Sequence, residues 1–429
     1  MPAARRVVLL TASLLLSVVA SAARAAAPPT HAGFRRVAEA AYERKDFAAA
    51  RDAYAAALAL RPDSPRYLHG LAAMQARTGR DADALATLRR LVALGVATPV
   101  ERNPDFASLQ GQPAFSVICS ALATNRAPQG EADLLAELPG RTGIVEGLAF
   151  RERTGELFLG DVHHRCIWSR DRDGRLTRYS AEDEELLGVF GLALDEPRQT
   201  LWAATAALPE MSGFTAAQKG QAALAAFSLT TSALTRLFAV PDDGREHLLG
   251  DLIVAGNGAV YVTDSVSPII WRLAPGAEEL ENFVEHPAFS SLQGLVLKDR
   301  TLLVADYANG LFAIDLSTST PVVRPLAPPA NATLLGLDGL VAVPGGLVAV
   351  QNGVTPQRVV RLALTPDLAA VASVTVLAAA LPRCDDLALV TLVNDRPTFV
   401  AHAGWDNFDP AKTAHPPAHS VLIFQVGAP

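Results

Sequence analysis

Six pairs of short strands are predicted between Glu146 and the C-terminus, each alternating small, aliphatic and polar positions. The first strands read EGLAF, FGLAL, GDLIV, QGLVL, DGLVA and DDLAL, and they start at Glu146, Phe190, Gly250, Gln293, Asp338 and Asp385. Their partner strands close on polar residues, namely Asp161, Thr205, Asp264, Asp306, Gln351 and His402. A repeat of this length made only of strands is typical of a β-propeller. The sequence therefore predicts a mainly β fold, a six-bladed propeller over residues 132–429.

One further strand is predicted ahead of the first blade. Residues 134–139 (LLAELP) match the outer strands of other blades, such as residues 237–241 (LFAVP). Because they precede blade one, we expect them to complete blade six beside residues 421–426 and so remove an open sheet edge. Blade two carries the longest departure, residues 206–226. Its Ala-rich part, residues 216–226, is predicted to be helical and to cover one face as a lid.

The region before the propeller is predicted to be helical. Residues 32–122 repeat with a period of 34, and the segment AAYERKDFAAARDAYAAALALRPD resembles a tetratricopeptide repeat. Such helix pairs bury their faces only by stacking on neighbours. Two interpretations are open: a docking surface for a peptide or protein partner, or a short helical spacer packed on the propeller. Polar residues 123–131 (ATNRAPQGE) are predicted to be a linker.

The N-terminus predicts export. Arg5 and Arg6 precede an apolar run and an Ala23-Arg24-Ala25 site, so residues 1–25 are predicted to be a signal peptide, with a periplasmic or secreted mature protein. No later segment is apolar enough to cross a membrane. The net charge of −7 includes no basic cluster, which argues against a nucleic-acid partner. The three cysteines have no CxxC spacing, so no disulfide pairing is predicted.

The candidate chemistry lies where the first strands meet on the propeller axis. Aligning these strands brings together Glu146, Gln293, Asp338 and Asp385, and Asp251 lies one residue out of register. Converging carboxylates are costly unless a cation or a proton relieves their repulsion. Oxygen donors suit a hard divalent cation, with Ca²⁺ the favoured ion. A water-filled channel lined by polar residues is the other interpretation.

The strand starts EGLAF and DGLVA, within a six-fold repeat, resemble the SMP-30/gluconolactonase/strictosidine-synthase-like superfamily. This resemblance implies an axial Glu, two Asn and an Asp that hold one divalent metal, the Asp also serving as acid and base in lactone opening. Glu146 matches the Glu, and Asp338 matches the metal-binding, catalytic Asp. Gln293 stands where an Asn is expected, and the other Asn has no match, since the third blade offers Gly250-Asp251.

Two functions follow as hypotheses. The first is an exported, metal-dependent lactone or ester hydrolase, with Asp338 as base. Phe190 is then an apolar wall of the substrate pocket, Trp405 borders it and His402 faces it. The second is a non-catalytic propeller fused to helical repeats, a scaffold for a peptide, sugar or envelope partner. No GxSxG, HExxH, Walker A or GxGxxG motif is present, which argues against those hydrolase and nucleotide-binding classes.

Overall fold

The computed structural model describes residues 30–427 except for 141, 183–185, 319, 409 and 411–419. The predicted signal peptide lies outside these residues. Five α-helices come first: α1 (His31–Glu43), α2 (Phe47–Leu60), α3 (Pro65–Arg77), α4 (Asp81–Ala93) and α5 (Pro113–Arg126), with a 3₁₀ helix at Pro104–Leu109 before α5. No helix among the described residues combines the length and apolar character that crossing a membrane requires.

The helices begin where capping residues predict. Asp46 accepts a hydrogen bond from the Ala49 amide at the start of α2, and Ser64 caps α3, which opens with Pro65. The starts of α1 and α3 lie 34 residues apart, as do those of α2 and α4. Gly70 lets α2 and α3 approach closely, since an added Cβ there would lie 2.7 Å from the Tyr54 ring. The helical character is confirmed, while the tetratricopeptide type stays a prediction.

Strands form the rest of the described chain. A two-residue strand, β1 (Gln129–Gly130), follows the helices. Blade one contains β3 (Val145–Arg151), β4 (Glu156–Asp161), β5 (Cys166–Arg170) and β6 (Leu176–Arg178). Blade two contains β7 (Gly188–Asp195), β8 (Thr200–Ala206), β9 (Ala222–Ser228) and β10 (Leu234–Ala239). Blade three contains β11 (Leu249–Val254), β12 (Val260–Asp264), β13 (Ile269–Leu273) and β14 (Glu281–Glu285).

The remaining blades follow the same antiparallel order. Blade four contains β15 (Leu292–Lys298), β16 (Thr301–Asp306), β17 (Gly310–Asp315) and β18 (Val322–Pro325). Blade five contains β19 (Leu337–Val343), β20 (Gly346–Gln351), β21 (Arg358–Leu364) and β22 (Val371–Ala379), and β1 pairs with β22 as a fifth strand. Blade six contains β23 (Val390–Val393), β24 (Arg396–His402), β25 (Leu422–Val426) and, outermost, β2 (Ala132–Glu137). Short 3₁₀ turns lie at Glu196–Arg198, Ala216–Gln218 and Trp405–Asn407.

The first strands of the blades form a closed ring. Each contacts the first strand of the next blade, and β23 of blade six returns to β3 of blade one. The pairing of β2 with β25 joins the N-terminal strand to the last blade, so the predicted closure of the propeller is confirmed. Apolar side chains from both faces of the sheets fill the spaces between blades.

The helix predicted at residues 216–226 was wrong. Only Ala216–Gln218 is helical, as a single 3₁₀ turn, and Ala222–Ser228 is the third strand of blade two. The chain turns at Gly220, which has φ +76°. Alanine favours helix locally, but here both edges of β9 are hydrogen-bonded to neighbouring strands and its side chains are buried. Tertiary pairing therefore overrides local propensity.

The helices pack against blades four and five of the propeller. Asp63 accepts hydrogen bonds from the Thr333 hydroxyl and the Leu334 amide, and the Arg358 guanidinium donates to the Gly95 carbonyl. Asn309 accepts a bond from Arg61. These buried polar contacts fix the helices over one part of the ring. Cys119, Cys166 and Cys384 are free thiols.

Candidate functional site

The same two-residue bulge recurs near the start of each first strand. In blade one, Val145 pairs with Asp161 and Leu148 with Leu159, so Glu146 and Gly147 form the bulge. The first bulge position holds Glu146, Phe190, Gly250, Gln293 and Asp338 in blades one to five. The second position is a glycine in four blades, because an added Cβ would collide with the next blade; at Gly147 it would lie 2.0 Å from the Phe190 carbonyl oxygen. The bulge thus turns the first-position side chain towards the axis in blades one, two, four and five, whereas blade three has Gly250 there.

Asp385 lies outside this register. In blade six Asp386 pairs with His402, and the Val400 amide donates to the Leu389 carbonyl, so Leu387 and Ala388 occupy the bulge. Leu387 therefore stands in the position of Glu146, while the Asp385 side chain is 76% exposed and binds His402. The error has a physical reason: the run DDLALV alternates, and shifting a strand by two residues leaves its apolar pattern unchanged.

Asp251 takes the second bulge position of blade three, where glycine stands in most other blades. One carboxylate oxygen, Oδ1, accepts a 2.9 Å bond from the Leu252 amide and lies 2.7 Å from where a Cβ on Gly191 would be. On the side of blade four, blade three adjoins Gln293, whose Oε1 lies 3.5 Å from the Ser265 hydroxyl. The one-residue offset read from the sequence is confirmed, and it still leaves this carboxylate beside the axis.

Three carboxyl groups interact at this end of the channel. Burial raises the pKa of Asp338 to about 6. Burial, with the charge of Asp338, raises the pKa of Asp251 to about 7. Burial and then Asp338 raise the pKa of Glu146 well above its usual value. Among the described residues none of the three forms an ion pair with Lys, Arg or His, so nothing cationic offsets the raised pKa of each carboxyl group.

Asn352 is a site residue that the sequence analysis missed. Its side-chain amide donates to Asp338 Oδ2 at 2.6 Å and to the Leu387 carbonyl at 2.8 Å. Both donors are therefore used, which fixes the orientation of the amide. Its oxygen, Oδ1, is buried and has no hydrogen-bond partner among the described residues. An unpaired buried acceptor next to a carboxylate marks a place where a donor or cation would be stabilised.

The repeat did contain a signal for this residue. Asn352 directly follows Gln351, the polar residue that ends the second strand, and Ser265 and Tyr307 hold the same position in blades three and four. Ser265 donates to the Leu292 carbonyl and lies near Gln293. The hydroxyl end of Tyr307 lies against Gly353, and burial together with Asp338 raises its pKa to about 12. A second tier of polar side chains thus borders the axis on three adjoining blades.

Trp405 and Phe190 form an apolar wall beside Glu146. The Trp405 indole N–H donates to Glu146 Oε1, and the Trp405 and Phe190 ring centroids are 6.5 Å apart. Asp386 accepts bonds from the Gly404 and Trp405 amides, at 2.8 and 3.0 Å, and so holds the loop that carries Trp405. Sequence analysis had placed Trp405 only at the border of a pocket; its bond to Glu146 comes from the fold.

His402 lies outside this group. Its Nδ1 is 2.8 Å from Asp385 Oδ1, at the end of β24. The pair lies on blade six at the edge of the site. In that blade Leu387, and not Asp385, occupies the bulge position that Glu146 holds in blade one. The structure thus places Asp385 and His402 next to each other, and it does not bring either to the axial carboxylates.

Other buried carboxylates have structural roles. Asp161, Asp264 and Asp306 end the second strands of their blades and are fully buried. Asp306 accepts four backbone N–H bonds, from Ser290, Ser291, Ala308 and Asn309. Such a carboxylate satisfies backbone groups in a turn.

Whether the axial residues suit a divalent cation depends on their oxygen donors. Among the residues that the structure describes, no three His, Cys, Asp or Glu side chains are arranged to hold a metal ion. Ca²⁺ also accepts amide oxygens, and the unpaired Oδ1 of Asn352 adjoins the Asp338 carboxylate. The donor atoms of Glu146, Asp251, Asp338 and Asn352 are all oxygens, which a hard cation prefers, although the three carboxylates are not arranged around one point in this structure.

Several solved structures are distantly similar to this chain. A gluconolactonase from Xanthomonas campestris is 17% identical, covers 71% of this chain and 93% of its own, and has a TM-score of 0.47. Regucalcin, a calcium-binding protein from Agrobacterium tumefaciens, is 16% identical, covers 70% and 94%, and has a TM-score of 0.48. The PQQ-bound aldose sugar dehydrogenase from Streptomyces coelicolor is 17% identical, covers 70% and 100%, and has a TM-score of 0.46. No family model and no curated protein matches the chain.

The names of two of these proteins, gluconolactonase and regucalcin, describe those proteins and are not carried over to this chain. At these identities and TM-scores the likeness concerns the fold alone, because one fold hosts many chemistries.

Proposed function

We propose that this chain is a divalent-cation-dependent hydrolase of lactones or related esters, with Ca²⁺ the favoured ion and an exported mature protein. The observation that carries the proposal is the convergence of Glu146, Asp251 and Asp338 on the axis beside the unpaired Asn352 oxygen. Buried carboxyl groups with raised pKa values and no cationic partner are unfavourable structural elements and are common at functional sites. Blades one, three and five supply the three groups.

The ligands of the cation would be the carboxylates of Glu146, Asp251 and Asp338 and the Oδ1 atom of Asn352. When bound, such an ion polarises a carbonyl and lowers the pKa of a coordinated water. Trp405 orients Glu146 by donating to Oε1. Asn352 orients Asp338 by donating to Oδ2, which leaves Oδ1 of Asp338 for proton transfer.

The reaction adds water across the acyl C–O bond of the ring. Asp338 Oδ1 accepts a proton from water as the oxygen attacks the carbonyl carbon, and the same carboxyl group then donates a proton to the departing alkoxide. The product is an open-chain hydroxy acid. Phe190 and Trp405 limit access of bulk water from one side, since their rings lie side by side next to Glu146.

The test is hydrolysis of D-gluconate lactones, followed by proton release with a pH indicator, in Ca²⁺ and in EDTA. We expect turnover only with the ion, and a loss of about 10²- to 10⁴-fold in Asp338→Asn, the usual contribution of a general base. Asp395→Asn, in an exposed turn of blade six, is the matched control and should keep wild-type rates. Full activity in Asp338→Asn would refute the assignment of the base.

Two earlier predictions are decided by the same assay. Asp385 stays a predicted metal ligand that the observed register argues against, so Asp385→Asn should keep both activity and Ca²⁺ affinity. The scaffold hypothesis is favoured if the wild-type protein binds no divalent ion and hydrolyses no lactone.

A further inference from the structure

A cavity of about 710 Å³ lies between the helices and the propeller. Its helical side is formed by α1 and by the start of α3, and its propeller side includes Tyr307 and Gly353. A second cavity, of about 580 Å³, shares Tyr307 and Gly353 with it and is also lined by Asn352. Because the amide of Asn352 binds Asp338, this second cavity reaches the edge of the axial site, and the interdomain cavity meets it at Tyr307 and Gly353. Its size is in the range of small-molecule sites.

The lining of this interdomain cavity is strongly cationic. It includes Arg35, Arg61 and Arg66 and no Asp or Glu. Arg35 is paired with Glu39 at 3.1 Å. Among the described residues the ion pairs of the helices involve other side chains, and neither Arg61 nor Arg66 has a carboxylate within 4.0 Å. Two guanidinium groups thus face one cavity without a counter-charge in direct contact.

Arg61 is the more informative of the two. It is half-buried, and it donates at 2.8 Å to a neutral group, Asn309 Oδ1. Burial lowers its pKa, and the more distant Asp63 and Asp306 only partly offset this effect. A buried guanidinium bonded to a neutral amide retains donors that suit a carboxylate or a phosphate. The first turn of α3, from Pro65, also lines the cavity, and the positive end of a helix dipole favours an anion.

We propose that the interdomain cavity binds the anionic group of the substrate, so that the lactones hydrolysed at the axis carry a carboxylate or a phosphate. The inference rests on the proposed hydrolase function and narrows its substrate class. Arg61 and Arg66 hold the anion, and Tyr307 lies between the cavity and Asp338. The helices therefore act as part of the substrate site, which gives them a role beyond that of a spacer.

Binding is tested first, without turnover. Isothermal titration of the full-length protein with D-glucarate and with inorganic phosphate should show one site, and neutral D-glucitol should not bind. We expect Arg61→Gln to weaken anion binding at least tenfold and Arg66→Gln about three- to tenfold. Arg89→Gln, on the exposed face of α4 and outside the cavity, is the matched control and should bind as wild type does. Tighter binding of glucarate or of phosphate identifies the anionic group.

Arg66 separates a binding role from a structural one. Arg61 contacts the propeller through Asn309, so its replacement could loosen the packing of the helices. Arg66 is exposed and makes no hydrogen bond to the propeller among the described residues. If Arg61→Gln lowers the melting temperature while Arg66→Gln leaves anion binding unchanged, Arg61 is an interdomain contact only and the proposal is overturned.

Kinetics then connect the cavity to the axis. The γ-lactones of D-glucarate and D-gluconate differ by a carboxylate in place of a hydroxymethyl group. We expect wild type to prefer the glucarate lactone in kcat/KM, and Arg66→Gln to lose that preference with little change towards the gluconate lactone. Arginine-dependent anion binding without any hydrolysis would refute the hydrolase and keep the anion site. Hydrolysis of the gluconate lactone without anion binding would overturn the anion site alone.

Discussion

Two sets of buried carboxylates lie close together in this propeller and differ in their bonding. Asp161, Asp264 and Asp306 end the second strands and are surrounded by N–H donors; Asp264 alone accepts bonds from three backbone amides, His247 and Trp271. Glu146, Asp251 and Asp338 lie near the starts of the first strands and have one side-chain or backbone donor each.

Hydrogen bonding, and not burial, separates the two sets. A carboxylate that accepts several N–H bonds is stabilised in its charged form and holds a turn in place. A buried carboxylate with one donor has its pKa raised, and it gains from a proton or a cation. The first set therefore stabilises the blades, while the second is available for chemistry. Three predictions test this distinction.

The largest effect on stability is expected for the strand-end set. Asp264→Asn replaces one accepting oxygen with a donor and leaves buried N–H groups without partners, so the free energy of unfolding should fall by on the order of 3 kcal/mol or more. Asp338→Asn is the matched substitution at the axis. In EDTA at neutral pH it should change the free energy of unfolding by about 1 kcal/mol or less, or increase it, because it removes a poorly solvated charge. Urea unfolding gives the free energy of unfolding of both variants. Equal destabilisation would show that the two sets of carboxylates do not differ in their structural role.

The second prediction concerns pH in the absence of divalent ions. The pKa of Asp338 is raised to about 6 in the folded protein, whereas an unfolded Asp titrates near 3.9. The folded state therefore keeps a proton that the unfolded chain releases, and this contribution is complete below about pH 4 and is lost as the pH rises to about 7. Asp338 should account for roughly 2 to 3 kcal/mol.

Unfolding in EDTA between about pH 4 and 8 measures the effect as the difference between wild type and Asp338→Asn, which cancels the titrating groups that do not interact with Asp338. A difference that stays constant with pH would mean that Asp338 is charged throughout and is paired in a way the structure does not show. Saturating Ca²⁺ should reduce the pH dependence, because a cation competes with the proton.

The smallest effect is expected at Trp405, which donates to Glu146. Trp405→Phe keeps the ring and removes the N–H, so the charged form of Glu146 loses one bond and Ca²⁺ affinity should fall by about one order of magnitude. Trp202→Phe is the matched control, because the indole N–H of Trp202 is buried without a partner among the described residues. Calcium titration by calorimetry compares the two. Equal Ca²⁺ affinities of Trp405→Phe and Trp202→Phe would show that Trp405 is only part of the apolar wall.

Much of the fold could be predicted from local pattern. Strand alternation and the six-fold repeat identified the blades, and the match of residues 134–139 to outer strands identified the closing strand. Glu146, Gln293 and Asp338 could be aligned because each is followed by glycine in the bulge. Blade six could not, since DDLALV fits two registers equally well and only its pairing with β24 selects Leu387.

The helix predicted at residues 216–226 failed for a related reason. Alanine has high helix propensity, which favoured the helix. The hydrogen bonds that hold β9 as a strand come from β8 and β10, which lie outside the segment, so its own residues do not reveal them. Asn352 was missed because its importance depends on the neighbour it reaches, Asp338, and not on its place in a motif.

The periodic order of the chain is local information. Alternating apolar positions, glycines at bulges and polar strand ends suffice to define six blades and to place Glu146, Gln293 and Asp338 near the axis. The role of each carboxylate depends on the donors around it, and these come from distant parts of the chain. Trp405 reaches Glu146 across 259 residues, and Arg61 reaches Asn309 across 248. Solvation and hydrogen bonding are properties of the assembled neighbourhood, so only the folded structure could separate structural from candidate functional carboxylates and form an arginine-lined cavity between the helices and the propeller.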